Sequence, residues 1–265
     1  MGERVTVSME GGVADVRLNR PEKLNALDQA MFEALVDTGK ALTIDRALRA
    51  VVLSGEGRAF CAGLDFASFM AMQGESGRSL VSRSADTPAN FAQQAAWVWT
   101  EIPVPVIASV HGVAFGGGLQ IALAADIRLA APDAQLSVME IKWGLVPDMS
   151  GTQTLRRLVR LDVAKELTFT GRIVSAQEGA ALGLVTRVAD NPHGAALALA
   201  REIAGKSPDA IRAGKQLLNQ SVQLSVEEGL RLEELLQRNL IGAANQVEAV
   251  QANMQKRAPE FRDPV

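Results

Sequence analysis

Cysteine, histidine and tyrosine are scarce in this chain: one cysteine, two histidines and no tyrosine among 265 residues. A lone Cys61 forms neither an internal disulfide nor a thiolate metal cage, which points to a reducing compartment rather than secretion. His111 and His193 leave too little for a multi-histidine metal site, so no metal is expected. Aromatic residues at 4% count against base-stacking platforms, and a net charge of −3 gives no footprint for nucleic acid or an anionic membrane. The N-terminus lacks an apolar core of signal-peptide length. The longest apolar stretch, Ile102 to Ala131, is broken by Pro103, Pro105, His111, Gln120, Asp126 and Arg128, so it reads as a buried segment. A cytoplasmic protein without membrane or nucleic-acid partners is expected. With 48% hydrophobic and 22% charged residues, the composition is that of a globular chain of one to two domains.

Alternation at Val5, Val7 and Met9, then Ala14, Val16 and Leu18 across Gly11-Gly12, predicts strand, turn, strand. Asp28 can cap a helix carrying Met31, Leu35 and Leu42. Ala50–Leu53 reads as a buried strand, residues 73–90 as a mobile polar excursion, and Phe91 to Ile102 as a helix that Pro103 stops. Val106–Val110, Ile127–Ala130 and Leu136–Val138 follow as strands, with a helix over Leu119–Ala125. The last ninety residues alternate helices and turns apart from a strand at Leu184–Val188, with capping boxes expected at Ser175/Glu178 and Ser225/Glu228. Amphipathic Val226–Leu240 packs either on the parent core or on a neighbouring subunit. The outline is an α/β core, residues 1–200, followed by a helical region, residues 201–265.

Three constellations can carry chemistry. In Val110-His-Gly-Val-Ala-Phe-Gly-Gly-Gly-Leu-Gln120, a strand runs through glycines into a helix whose unpaired N–H groups could bind phosphate or stabilise an oxyanion. Its spacing fits neither the P-loop nor the dinucleotide fingerprint, and a tight strand–helix junction accounts for it equally well. In Arg58-Ala-Phe-Cys-Ala-Gly-Leu-Asp-Phe66, Gly63 allows close backbone approach, Asp65 can cap the next helix, and Cys61 reads as a small buried residue. In Met139-Glu-Ile-Lys-Trp-Gly-Leu-Val-Pro-Asp148, two carboxylates sit among Ile141, Trp143, Leu145, Val146 and Met149. An apolar pocket would raise their pKa values into a range useful for acid–base chemistry; salt-bridged or capping acids are the plain alternative.

Taken together and in order, the motifs resemble the crotonase (enoyl-CoA hydratase/isomerase) superfamily. They are Arg20-Pro-Glu-Lys-Leu-Asn-Ala-Leu27, Ala59-Phe-Cys-Ala-Gly-Leu-Asp65, His111-Gly through Gly118, Gly144-Leu-Val-Pro through Gln153, Phe169-Thr-Gly-Arg, Ala181 to Arg187, and Lys256-Arg through Phe261-Arg. The resemblance spans essentially the whole chain. It implies a crotonase-like spiral of ββα repeats, with C-terminal helices assembling homotrimers that often pair into homohexamers. It further implies an acyl-CoA thioester substrate, no separate cofactor, and stabilisation of a thioester enolate. By motif position, the oxyanion-hole N–H groups belong to Leu64 and Gly117. Coenzyme A would lie along Lys23, Leu24, Ala26, Ala62, Asp65 and Phe66, with Gly116 and Gln120 also facing substrate. Ala67 departs from the family, where a basic residue is common; Arg58 or a C-terminal basic residue is the candidate substitute for holding the phosphates.

The acid pattern resembles dienoyl-CoA isomerases most. Glu140 matches the carboxylate shared across the family, and Asp148 matches an aspartate of those isomerases and of the family's dehalogenases. Hydratases of the family use two glutamates on one water, and the first falls where this chain has Gln120, an amide that takes no proton at neutral pH. Double-bond migration with Glu140 and Asp148 as proton carriers is therefore expected. Hydration of a 2-enoyl-CoA is the alternative, and a CoA-ester-binding scaffold without turnover is the reading from a different class. Gln120 would orient the acyl chain or a water, Phe69 and Met70 could line the acyl pocket, and His111 and His193 receive no catalytic role.

Overall fold

The computed structural model describes residues 3–71, 81–83 and 87–264, so most of the excursion expected at 73–90, like the side chain of Phe69, lies outside the described residues. The strands are β1 (Val5–Glu10), β2 (Val13–Leu18), β3 (Ala50–Gly55), β4 (Val106–Val110), β5 (Val113–Phe115), β6 (Ile127–Ala130), β7 (Gln135–Ser137), β8 (Val174–Ser175) and β9 (Arg187–Val188). Six form one sheet in the order β1-β2-β3-β4-β6-β9, with an antiparallel β1–β2 hairpin and parallel pairing thereafter. β5, β7 and β8 form a second, small sheet. Each parallel crossover carries a helix: α1 (Gln29–Ile44), α2 (Phe66–Ala71), α3 (Phe91–Glu101) and α4 (Gly117–Ala124) precede α5 (Gly151–Leu158), α6 (Leu161–Thr170) and α7 (Ala176–Leu182). The chain ends with α8 (Pro192–Ala204), α9 (Pro208–Ser221), α10 (Val226–Leu240) and α11 (Ala244–Gln255).

Both faces of the large sheet are covered, which is why β3 and β4 read as unbroken apolar runs. Val13, Ala50, Val52, Ile107 and Leu129 pack under α8, whereas Val16, Val51, Leu53 and Ala108 join the larger core with Phe32, Leu35 and Trp99. Only Val5 of β1 is buried; Val7 and Met9 are each 46% exposed because this hairpin strand forms the sheet edge. Asp28 accepts the Met31 N–H to start α1 as expected, and Asn90 with Gln93 forms a full capping box on α3.

Three local expectations need correction. The strand at 184–188 contracts to β9, because only Arg187 and Val188 pair in register with β6, opposite Leu129 and Ala130. At α7 only half of the capping box exists: Ser175 accepts the Glu178 N–H, but the Glu178 carboxylate is drawn to Arg172 at 2.7 Å. α4 begins at Gly117, two residues before the predicted Leu119, with all its residues buried. The Ser225/Glu228 box is complete.

The boundary expected at residue 200 falls inside α8, whose Ala196 and Ala200 are buried against the sheet. α10 is the reverse case, with no buried residue in this chain and Leu230 and Leu235 exposed.

Candidate active site

Two backbone segments form one wall of the site. Cys61 bridges to Ala114, its N–H donating to Val113 O and its carbonyl accepting from Phe115 N–H, both at 3.0 Å. Beyond it, Leu27 N–H donates to Gly63 O and Asp65 N–H donates to Leu27 O, so the N–H of Leu64 between them points away from Leu27. Gly117 opens α4, and the N–H of a first helical residue has no intrahelical acceptor. The two segments meet closely: a Cβ on Gly63, whose φ is +87°, would lie 2.6 Å from Phe115 O and 3.6 Å from Gly117 N. Glycine is required there by both conformation and space. Leu64, Gly116 and Gly117 all line a cavity of about 300 Å³.

Gln120, Glu140 and Asp148 line the same cavity. Glu140 starts a 3₁₀ turn (Glu140–Trp143), and its Oε1 accepts a hydrogen bond from Gln120 Nε2 at 2.5 Å. Its Oε2 is buried without a hydrogen-bond partner among the described residues. Burial raises the Glu140 carboxyl above its ordinary value; its own backbone and the Gln120 amide oppose the shift, and the charge of Asp148 adds to it. Asp148 stands at the cavity mouth with its side chain reaching solvent, yet the surrounding protein also pushes its carboxyl up. Gln120 Oε1 in turn accepts the Gly151 N–H at 2.9 Å. The site thus brings two backbone segments with N–H groups at Leu64 and Gly117 together with two carboxyl groups whose pKa values are raised, an arrangement suited to stabilising a developing oxyanion while moving protons.

The sequence profile of the enoyl-CoA hydratase/isomerase family matches residues 8–264. The chain belongs to that family. It is 33% identical to the mitochondrial methylglutaconyl-CoA hydratase of Mus musculus over 258 residues, covering 95% of this chain and 80% of the relative. It is 35% identical over 260 residues to the mitochondrial enoyl-CoA hydratase domain-containing protein 2 of Bos taurus, covering 94% and 84%. The crystal structure of an enoyl-CoA hydratase from Bacillus anthracis superposes with a TM-score of 0.90 at 33% identity, over 97% of this chain and 98% of that one. The crotonase fold expected from the motifs is therefore present, in an acyl-CoA enzyme of the enoyl-CoA hydratase/isomerase family.

Within this family member, the residues expected along coenzyme A divide into two groups. Ala62 and Phe66 line the cavity. Lys23 ends the Pro21–Lys23 turn and is exposed, and Leu24 and Ala26 follow it, with Ala62 N–H donating to Leu24 O at 2.9 Å. Asp65 spends its carboxylate inside the protein: Arg20 approaches at 2.8 Å and the Ser68 N–H donates to it, capping α2 as anticipated. These partners outweigh burial and hold Asp65 down to about 2.

Arg20 and Asn25 carry structural weight that the motif reading missed. Arg20 Nη1 donates to Ala26 O, and the buried Asn25 side chain accepts Arg20 N–H while donating to Glu56 O and Ala59 O. Leu24 and Asn25 both adopt positive φ, at 50° and 56°. Asparagine at the second position was the available signal, since it tolerates the left-handed region better than most residues. Cys61 is fully buried, donates its thiol to Asn25 O at 3.1 Å, and is pushed up to about 12 by burial. A thiol so placed is not a nucleophile.

The acidic segment is less enclosed than its apolar neighbours implied. Met149 is buried, but Ile141, Trp143, Leu145 and Val146 are between 44% and 68% exposed. One 3₁₀ turn is too short to bury both its faces, so it forms a rim instead. Trp143 stacks on Phe66 with ring centroids 3.9 Å apart, closing that rim across the cavity. Phe32, Ala92 and Phe115 complete the apolar wall, and Val81 reaches it from the start of the described 81–83 segment. Met70 is 57% exposed. Among the described residues no group of His, Cys, Asp or Glu is placed to hold a metal, and no helix is long and apolar enough to cross a membrane.

Proposed function

We propose that this enzyme shifts a double bond within an enoyl- or dienoyl-CoA. The thioester oxygen would accept hydrogen bonds from Leu64 and Gly117 N–H as a dienolate forms, and losing one such donor typically costs about 10²–10³ in rate. One carboxylate of the Glu140/Asp148 pair removes a proton from the acyl chain, and the other returns one further along. Lys23 is the exposed cation beside the coenzyme A wall, Ala62 and Phe66 flank the pantetheine, and Leu24, Ala26 and Asp65 shape that wall from behind.

One observation carries the choice. Gln120 takes the Gly151 N–H on its carbonyl oxygen, so its NH₂ faces Glu140 as a donor, and a neutral amide takes no proton from a water shared with Glu140. Two-acid activation of water is thereby disfavoured, whereas Glu140 Oε2 and Asp148 remain for proton transfer. Hydration stands as the second reading because the relatives above carry hydratase names.

Product analysis separates them. Purified protein with a 3,5-dienoyl-CoA is expected to give the conjugated 2,4-dienoyl-CoA, with turnover lost in Glu140→Gln and Asp148→Asn. Water addition to a 2-enoyl-CoA that requires Glu140, with no migration in any dienoyl substrate, overturns isomerisation in favour of hydration. Saturable CoA-ester binding without turnover of either substrate class would make the protein a scaffold.

We further propose self-association as a trimer or a pair of trimers through the C-terminal helices. The support is α10, which has no buried residue in the single chain and displays Leu230 and Leu235. Mass measurement in solution is expected to give three or six copies, reduced in Leu235→Glu.

A further inference from the structure

We propose that Gln120 is a positioning residue: its side-chain amide selects which oxygen of Glu140 is available for chemistry and ties that carboxylate to the loop bearing Asp148. This rests on the reading that Glu140 is a working carboxylate of the site.

The direction of the amide is forced. A backbone N–H can only donate, so the group facing Gly151 N at 2.9 Å is the carbonyl oxygen, and the NH₂ faces Glu140 Oε1 at 2.5 Å. Gln120 is 2% exposed, so solvent does not compete for either end. Oε1 also faces Gly116, where a Cβ would lie 3.3 Å from it. Oε2 is buried without a hydrogen-bond partner among the described residues, so it is the oxygen on which none of their donors is spent.

The other end of the amide acts on the acid loop. Gly151 lies three residues after Asp148, and a Cβ there would come within 2.6 Å of Gln120 Oε1. Glycine at 151 thus allows the carbonyl to reach the backbone. One neutral side chain accepts from the Asp148 loop and donates to Glu140, so the two carboxylates are indexed to a common group on α4. A carboxylate at 120 could still accept the Gly151 N–H, but its second oxygen would face Glu140 Oε1 and repel its ionised form. The same helix begins with Gly117, so α4 holds both an oxyanion donor and the group that orients the acid.

The direct test is the titration of Glu140 in protein carrying ¹³C-labelled glutamate carboxyl groups, its resonance assigned by its disappearance in Glu140→Gln. In Gln120→Met the loss of a hydrogen bond to the charged form is expected to move the Glu140 midpoint up by about one pH unit. Gly151→Ala, which displaces Gln120 Oε1, is expected to move it in the same direction and serves if Gln120→Met fails to fold. In the double-bond assay, Gln120→Met should lower kcat by about 10–100-fold with KM within about threefold, and the acid limb of its pH profile should follow the NMR shift. An unchanged Glu140 titration in the folded variants overturns the proposal. So does a raised KM at constant kcat, which would place Gln120 against the acyl chain. A failed isomerase reading shows separately, as absent double-bond migration in the unmodified enzyme while the titration shift persists.

Discussion

Lys215 on α9 donates to Asp126 Oδ2 at 2.7 Å, and that same oxygen accepts the Val106 N–H at the start of β4, also at 2.7 Å. The ammonium also donates to Val104 O at 3.0 Å, and burial draws its pKa below the ordinary lysine value. One buried cation therefore pins the first of the three last helices to the head of the parallel sheet. Breaking such a pair from one side costs about 3–5 kcal/mol, because the remaining charge is left buried and unpaired. Asp126 keeps its Val106 bond and some solvent, so Lys215→Met should fall at the low end of that range. Urea unfolding checks it, and Lys215→Met with Asp126→Asn should cost less than the sum of the single variants.

Glu140→Gln should separate stability from activity. A carboxyl whose folded pKa is raised binds its proton more tightly in the native state, so stability is lost as pH rises from the unfolded value of 4.5 through the raised native value, and the loss is complete above it. Gln120 Nε2 can still donate to the new amide oxygen. The variant should thus melt at or above the parent at pH 8, the difference vanishing below about pH 4, where both states hold the proton. Thermal melts at the two pH values, beside a turnover assay reading near zero, test this.

Acid–base activity should share that signature. With Glu140 and Asp148 both raised, mainly by burial, the acid limb of kcat/KM is expected above the ordinary carboxylate values of 4.5 and 3.8. A pH–rate profile with its acid limb at or below 4 would contradict a role for either carboxylate as proton acceptor.

Gly117→Ala should damage the oxyanion wall selectively. The added methyl would approach Met149 Sδ to 2.7 Å and Leu27 Cδ1 to 2.9 Å. Met149 can yield, but Leu27 is fully buried, so α4 must shift. Loss of turnover by about 10²-fold or more, with CoA-ester affinity changed far less, is the expected outcome. Equal losses in both would place the damage in binding instead.

Asp65 makes the opposite pH prediction from Glu140. Its pKa is held down to about 2, so its contribution to stability is complete above the unfolded value of 3.8 and disappears as pH falls toward 2. Asp65→Asn should be less stable than the parent at pH 6, with the gap closing across that window in urea titrations.

Much of the architecture was legible because it depends on local periodicity. The β1–β2 hairpin, the Asp28 and Ser225 caps and the stop before Pro103 all follow from neighbours a few residues away. Glu140 was legible as a carboxylate in an apolar segment that matches a family motif. The exposure of Ile141 and Val146 was not, because a 3₁₀ turn has too few residues for periodicity to indicate its buried face.

What the chain determined by itself was the kinds of groups available: two backbone donors at glycine-bearing turns, two acids, and an amide where a third acid would change the chemistry. Only the tertiary structure decided how those groups are spent. It committed Asp65 to Arg20, from another loop, and turned the Gln120 amide by placing the Gly151 N–H against its carbonyl. It also left Glu140 Oε2 without a hydrogen-bond partner among the described residues. The physical reason is that a hydrogen bond's direction and a carboxylate's pKa depend on partners brought from distant parts of the chain, and no spacing within a single segment contains them.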